Sequence, residues 1–198
     1  MSTRLEFFYD YGSPYSYLAS SRLEALAERT GCEVVYRPML LGGVFKATGN
    51  QSPALQSVEA KRRYGGNVMQ RWVEYLGIDF QFNPFFPINT LPIMRAAHAA
   101  QRAGVFEDFH RAVYPAFWAQ AKNLGDPEVF AEVLRGAGLD AKQLIEGASD
   151  PAVKNALREA TDEAVARGAF GAPTFFVGDE MFFGNDQLDF VERALTAS

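Results

Sequence analysis

Ser13 stands directly before Pro14, where a short apolar and aromatic run, Leu5 to Tyr9, has ended in Asp10-Tyr11-Gly12. A serine followed by proline fits the N-cap and first position of a helix, because the hydroxyl accepts a free amide and proline leaves none unpaired. The unpaired amides and dipole of such a start also favour negative charge. Serine is a poor nucleophile at neutral pH without an adjacent base. No Gly-x-Ser-x-Gly surrounds Ser13, since positions 11 and 15 are both tyrosine, so a Ser-His hydrolase has no support. What remains is a hydroxyl that hydrogen-bonds an anion brought from outside. The other polar candidates are Lys46 and Asn50 in a Gly-rich stretch, and Asn185-Asp186 after Gly184. His98 and His110 fall in helical runs without an evident partner and read as structural. Cys32 reads as a small buried hydrophobe, and Lys61-Arg62-Arg63 as a solvated helix face.

Composition narrows the function further. The chain has 198 residues, 48% hydrophobic, with 19 Lys and Arg against 24 Asp and Glu for a formal charge of -5. That balance argues against a phosphate backbone or an anionic membrane as partner. One cysteine forms no internal disulfide, and one cysteine with two histidines does not assemble a structural zinc site. No run approaches the roughly 20 apolar residues of a membrane span, and the N-terminus has no apolar h-region. The expectation is a cytoplasmic protein with no metal.

The elements that must position Ser13 follow from the pattern around it. Leu5 to Tyr9 predicts a strand, and helical spacing of Tyr15, Leu18, Ala19, Leu26 and Ala27 predicts a helix that stops at Gly31. Glu33 to Arg37 predicts a second strand, parallel to the first, closing a βαβ unit. Leu41 to Asn50 is read as a loop near a site, being rich in glycine. From about Leu55 to Arg167 the chain reads as a helical block, started by Asp126-Pro127 and Asp150-Pro151 and stopped at Gly104 and Gly136-Ala137-Gly138. Phe82 to Thr90 is irregular. Thr174 to Val177 and Glu180 to Phe183, separated by Gly178-Asp179, predict a hairpin. Gly184-Asn185-Asp186 then offers a turn and an N-cap for a last helix. The fold class is α/β, a thioredoxin-like βαβ plus ββα with a large all-α insertion. We read residues 1–43 and 168–198 as one discontinuous domain and 44–167 as the inserted one, with a substrate cleft between them.

In thioredoxin-type folds the reactive thiol sits where Ser13 sits here, and the Cys-x-x-Cys pair reads Ser13-Pro14-Tyr15-Ser16. Dithiol oxidation is therefore excluded at this site, while the anion-favouring geometry stays. The economical reading is that a thiol arrives with a ligand, glutathione being the obvious one, and Ser13 hydrogen-bonds its sulfur.

Ser13 to Ala19, the Lys46 to Asn50 stretch, Phe170-Gly171-Ala172-Pro173-Thr174-Phe175 and Phe183-Gly184-Asn185-Asp186, in this order, resemble the 2-hydroxychromene-2-carboxylate isomerase family. That family is related to kappa-class glutathione transferases and DsbA-like proteins. The resemblance implies a homodimer that uses glutathione and acts on a small aromatic substrate, in the breakdown of naphthalene-like compounds. It implies isomerisation to trans-o-hydroxybenzylidenepyruvate by reversible thiolate addition. Ser13 matches the serine that activates the sulfur, and Pro173 the cis proline that turns Ala172 toward the cysteinyl moiety. Gly184, Asn185 and Asp186 match the turn that receives the γ-glutamyl end. Lys46 and Asn50 match the loop bordering the substrate. Phe86 stands where a tyrosine hydroxyl is expected, and Phe86 or Trp118 would line the apolar cleft. A kappa-like transferase acting on another electrophile, and a non-catalytic thioredoxin-like binder of glutathione or peptide, are the competing readings.

Overall fold

The computed structural model describes residues 3–197. The chain runs β1 (Arg4–Tyr9), α1 (Pro14–Thr30), β2 (Glu33–Pro38), α2 (Leu41–Thr48), α3 (Glu59–Leu76), α4 (Leu91–Ala103) and α5 (Phe106–Trp118). It continues through α6 (Pro127–Gly136), α7 (Ala141–Gly147), α8 (Pro151–Ala166), β3 (Thr174–Val177), β4 (Glu180–Phe183) and α9 (Leu188–Thr196). The four strands form one sheet in the order β2-β1-β3-β4, with β1 parallel to β2 and antiparallel to β3. This is the expected thioredoxin-like layout with a helical insertion. Ser13 caps α1 by accepting the Ser16 amide, and Gly31 ends it at φ 68, a left-handed value that glycine adopts without a Cβ clash.

Strand alternation splits the core in two. Leu5, Phe7, Tyr9, Phe175 and Val177 face α1, α4 and α5, with Phe7 stacked between Tyr9 and Phe175 at 4.9 and 5.2 Å. Phe8 and Phe176 face the other way, against Met39 just after β2, Val44 of α2 and Ala164 of α8. On that face Glu6 joins Arg37 and Arg167, and Arg167 lies 3.7 Å above the Phe176 ring. Helix α4 also meets one edge of the sheet, β2: His98 Nε2 meets the Pro38 carbonyl and Gln101 Nε2 donates to the Tyr36 carbonyl, both at 2.9 Å. These bonds occupy two carbonyls that an added strand would use.

Three expectations are corrected here. Leu41 to Thr48 is a helix, not a loop. Of its two glycines, Gly43 serves close packing, since a Cβ there would come within 3.1 Å of the Thr161 methyl on α8. The first amide of α2 is satisfied by a distant carboxylate, Asp10 Oδ2 at 2.9 Å from Leu41 N, so no cap residue was visible locally. The nominal division at residue 43 lies inside this helix. Second, Asn185 and Asp186 do not cap α9. They form a single 3-10 turn, and Gln187 precedes α9 with no side-chain cap. Third, both histidines have partners. His98 meets Pro38, and His110 bridges Tyr11 Oη at 2.9 Å and Ser20 Oγ at 2.8 Å.

Candidate active site

The turn between β1 and α1 is held from three sides. Asp10 is buried, and its carboxylate accepts from Gly12 N, Leu41 N and Thr90 Oγ1 at 2.8 to 3.0 Å. Burial raises its pKa against the lowering pull of those three bonds. Tyr11 is engaged at every polar atom by the inserted helices. Its amide meets Met94 Sδ at 3.4 Å, its carbonyl accepts from Trp118 Nε1 at 2.7 Å, and its hydroxyl bonds His110. Trp118 is thus fully buried beneath the turn and does not line a cleft. A side chain on Gly12 would meet Thr90 Cγ2 at 2.9 Å, so the turn and the start of α4 approach as closely as glycine permits.

On this base Ser13, 4% exposed, donates to the Ala172 carbonyl at 3.0 Å and accepts from Ser16 N at 3.1 Å. The Ala172-Pro173 peptide is cis, as the resemblance implies. Pro173 O accepts from Gly184 N at 3.0 Å, which ties the next turn to the same loop. Ser13, Ala172, Pro173 and Gly184 are therefore joined in one chain of hydrogen bonds. Asn185 is buried, its carbonyl held by Arg22 at 2.9 Å, while its Nδ2 has no hydrogen-bond partner. An orphaned buried donor suits a carboxylate or carbonyl ligand. Burial and then the Asp186 carboxylate raise the Tyr15 pKa, which places Asp186 within electrostatic reach of α1's first turn. A γ-glutamyl group, carrying both an ammonium and a carboxylate, fits an acidic side chain beside an unpaired amide donor.

The remaining candidates lie at differing distances from this centre. Asn50 is tied to it indirectly: Nδ2 donates to Phe170 O at 2.8 Å and Oδ1 accepts from Gln51 N, so its amide is occupied in tethering the segment before Gly171. Lys46, on the last turn of α2, is exposed and forms no ion pair with a described residue. Phe86 is half-buried against Phe82 and Trp118, with ring centroids 5.7 Å from each. No contact links Lys46 or Phe86 to Ser13 among the described residues. Among those residues there is also no group of three His, Cys, Asp or Glu suited to a metal, and no helix long and apolar enough to cross a membrane.

Sequence reasoning passed over several residues that the fold brings here. Phe170 and Phe183 lie 4.3 Å apart between centroids, both more than a third exposed, and a Cβ on Gly171 would come within 2.8 Å of the Phe183 ring. The pattern Phe-Gly, repeated at 170–171 and 183–184, was the available signal. Lys61 is exposed, as expected of a solvated helix face, and borders an open concavity of about 480 Å3 with Tyr15, Tyr64 and Val68. Two of the three partners of Asp10 carried no local signal, lying 31 and 80 residues away, while the third, Gly12 N, is two residues on.

A thioredoxin-like sheet with a serine at the redox position, a cis proline beside it and a helical insertion defines a class of non-dithiol thioredoxin relatives. The chain belongs to the DSBA-like thioredoxin domain family, whose model matches residues 4–196, and within it to the group of 2-hydroxychromene-2-carboxylate isomerases and kappa-class glutathione transferases. It is 34% identical to a 2-hydroxychromene-2-carboxylate isomerase of Sphingobium xenophagum, covering 98% of this chain and 99% of the relative. It is 28% identical to glutathione S-transferase kappa 1 of Homo sapiens, covering 96% and 90%. A solved structure of 2-hydroxychromene-2-carboxylate isomerase superposes with a TM-score of 0.86 at 28% identity, covering 98% of this chain and 95% of that one.

Proposed function

We propose that this protein is a glutathione-dependent isomerase acting on 2-hydroxychromene-2-carboxylate or a similar intermediate of aromatic degradation. The observation that carries the reading is the Ser13 hydroxyl, at the N-terminus of α1 and 3.0 Å from the Ala172 carbonyl, in a site with no thiol of its own. Bound glutathione would supply a thiolate that is both a good nucleophile and a good leaving group. The chain's part is electrostatic and positional. Ser13 donates a hydrogen bond to the sulfur, and the free amides of α1 add a positive partial charge. Ala172 presents its backbone to the cysteinyl moiety, and Asn185 with Asp186 hold the γ-glutamyl end. Phe170 and Phe183 offer an aromatic wall beside Ala172, while Lys46 would meet the substrate carboxylate.

The names of the relatives support an isomerase first and a transferase second, as the isomerases match at 31 to 34% and the kappa transferases at 26 to 30%. A cytoplasmic homodimer is part of the same proposal. Titration with reduced glutathione in a calorimeter, followed by turnover of 2-hydroxychromene-2-carboxylate watched by absorbance, tests it. We expect saturable heat below about 1 mM and turnover that needs glutathione. A stable glutathione adduct instead of a released isomer would support the transferase, and no heat up to several millimolar would sink both.

A further inference from the structure

A second concavity lies away from the Ser13 turn, between α1, the outer strand β2 and α5. It has a volume of about 550 Å3, in the range of small-molecule sites. Its floor is aromatic. Tyr36 lies 5.2 Å from Phe106 and 4.8 Å from His110, and both Tyr36 and Phe106 are only partly buried. The imidazole adds no positive charge, because burial pushes its pKa down to about 3 and both ring nitrogens are already bonded.

The rim is acidic. Glu24 on α1 and Glu107 on α5 line the groove from opposite walls, and Arg111 is the one cation lining it. Arg111 is paired with Glu107 at 3.0 Å, while Glu24 forms no ion pair with a described residue. Burial raises the Tyr36 pKa first, and then both carboxylates add to it against Arg111, so the two charges converge on that ring. With Glu107 and Arg111 paired, Glu24 leaves the rim net negative, which disfavours an anion. A hard metal ion would need several oxygen ligands, and the described residues supply no such cluster. Aromatic faces flanked by carboxylates suit a weakly hydrated cation, attracted by ring quadrupoles and by charge together.

We propose that this groove binds a small organic cation, its quaternary or alkylated ammonium lying against Tyr36 and Phe106 between Glu24 and Glu107. The site is independent of the reading of Ser13. Its test uses the full chain, labelled with 15N, and two isosteres that differ only in charge: choline and 3,3-dimethylbutan-1-ol. Choline should shift amide resonances at positions 24, 36, 106 and 107 saturably, with a Kd of about 10 mM or tighter, and the alcohol should bind about tenfold more weakly or worse. The double variant Glu24→Gln, Glu107→Gln changes only exposed side chains and should weaken choline by about tenfold while leaving glutathione titrations as in the wild type. No saturable shift up to about 100 mM choline, equal binding of the alcohol, shifts mapping elsewhere, or unaltered binding by the double variant would each overturn the proposal.

Discussion

The Ser13 hydroxyl donates its proton to the Ala172 carbonyl, 3.0 Å away, while accepting the Ser16 amide. One proton serves one acceptor, so the proton that would stabilise a bound thiolate must first leave Ala172. The net gain is a difference between a charge-assisted bond of roughly 1.5 to 3 kcal/mol and a neutral one of roughly 0.5 to 1.5. That difference, about 1 to 1.5 kcal/mol, lowers a thiol pKa by about one unit. Ser13→Ala should therefore raise the pKa of bound glutathione's thiol by about one unit and slow turnover at pH 7, with partial recovery at higher pH. Loss of the cap should destabilise the fold by about 1 kcal/mol. Thiolate absorbance in the ultraviolet against pH, with saturating glutathione, checks it; coincident curves for variant and wild type would reduce Ser13 to a helix cap.

A buried histidine makes the fold sensitive to acid. Tyr9 Oη donates to Tyr11 Oη at 3.4 Å, which leaves the Tyr11 proton for His110 Nδ1 and assigns the Nε2 proton to Ser20. His110 is neutral in this network, its pKa pushed by burial from 6.5 to about 3. The unfolded chain binds a proton below about pH 6.5 that the folded chain refuses until about pH 3, so stability falls as pH drops through that window. The loss reaches about 2 kcal/mol by pH 5 from His110 alone. Urea midpoints at pH 7 and pH 5 should fall in the wild type and fall less in His110→Gln, although that variant starts less stable at pH 7. Equal pH sensitivity in both would show that the imidazole is charged in the folded state.

Asn50 separates two roles that the sequence left merged. Its amide is spent on Phe170 O, 120 residues away in sequence, and on the adjacent Gln51 N, and not held out for a substrate. Asn50→Ala should free the Phe170 segment, which stacks on Phe183, and raise KM for the aromatic substrate several-fold while leaving glutathione affinity unchanged. Being exposed, the bond contributes at most about 1 kcal/mol to folding. Parallel loss of glutathione binding would place Asn50 on the cofactor instead.

How far the sequence carried the fold depended on how local each signal was. Ser13 with Pro14, Gly31, Asp126 and Asp150 with their prolines, and the hairpin around Gly178 are decided within a few residues, and each stands where the pattern placed it. The helix α2 was illegible because its Gly43 answers to Thr161 and its first amide to Asp10, contacts that short-range propensity does not contain. The same holds for His110 and Trp118, whose partner Tyr11 lies 99 and 107 residues away. In the site, Ser13 was legible as an anion partner, but its bond to Ala172 spans 159 residues, and only the closed fold reveals that the hydroxyl is already engaged.

Gly184, expected in the turn that receives the γ-glutamyl end, has a backbone task of its own in the structure. It adopts φ 107, ψ 154, a region essentially reserved for glycine, and its amide bonds Pro173 O. A Cβ there would come within 2.4 Å of Asp186 Oδ1, an overlap that must be relieved by moving the carboxylate. Gly184→Ala should therefore cost roughly 1 to 3 kcal/mol of stability through backbone strain and, by displacing Asp186, weaken glutathione binding as well. Asp186→Asn provides the contrast, keeping the backbone and the side-chain shape while removing the charge that would meet the γ-glutamyl ammonium. Thermal melts and glutathione calorimetry on the two variants should show both losses for Gly184→Ala and only the affinity loss for Asp186→Asn. If Gly184→Ala melts lower yet binds glutathione like the wild type, the turn at 184–186 is a structural corner and the γ-glutamyl end is held elsewhere.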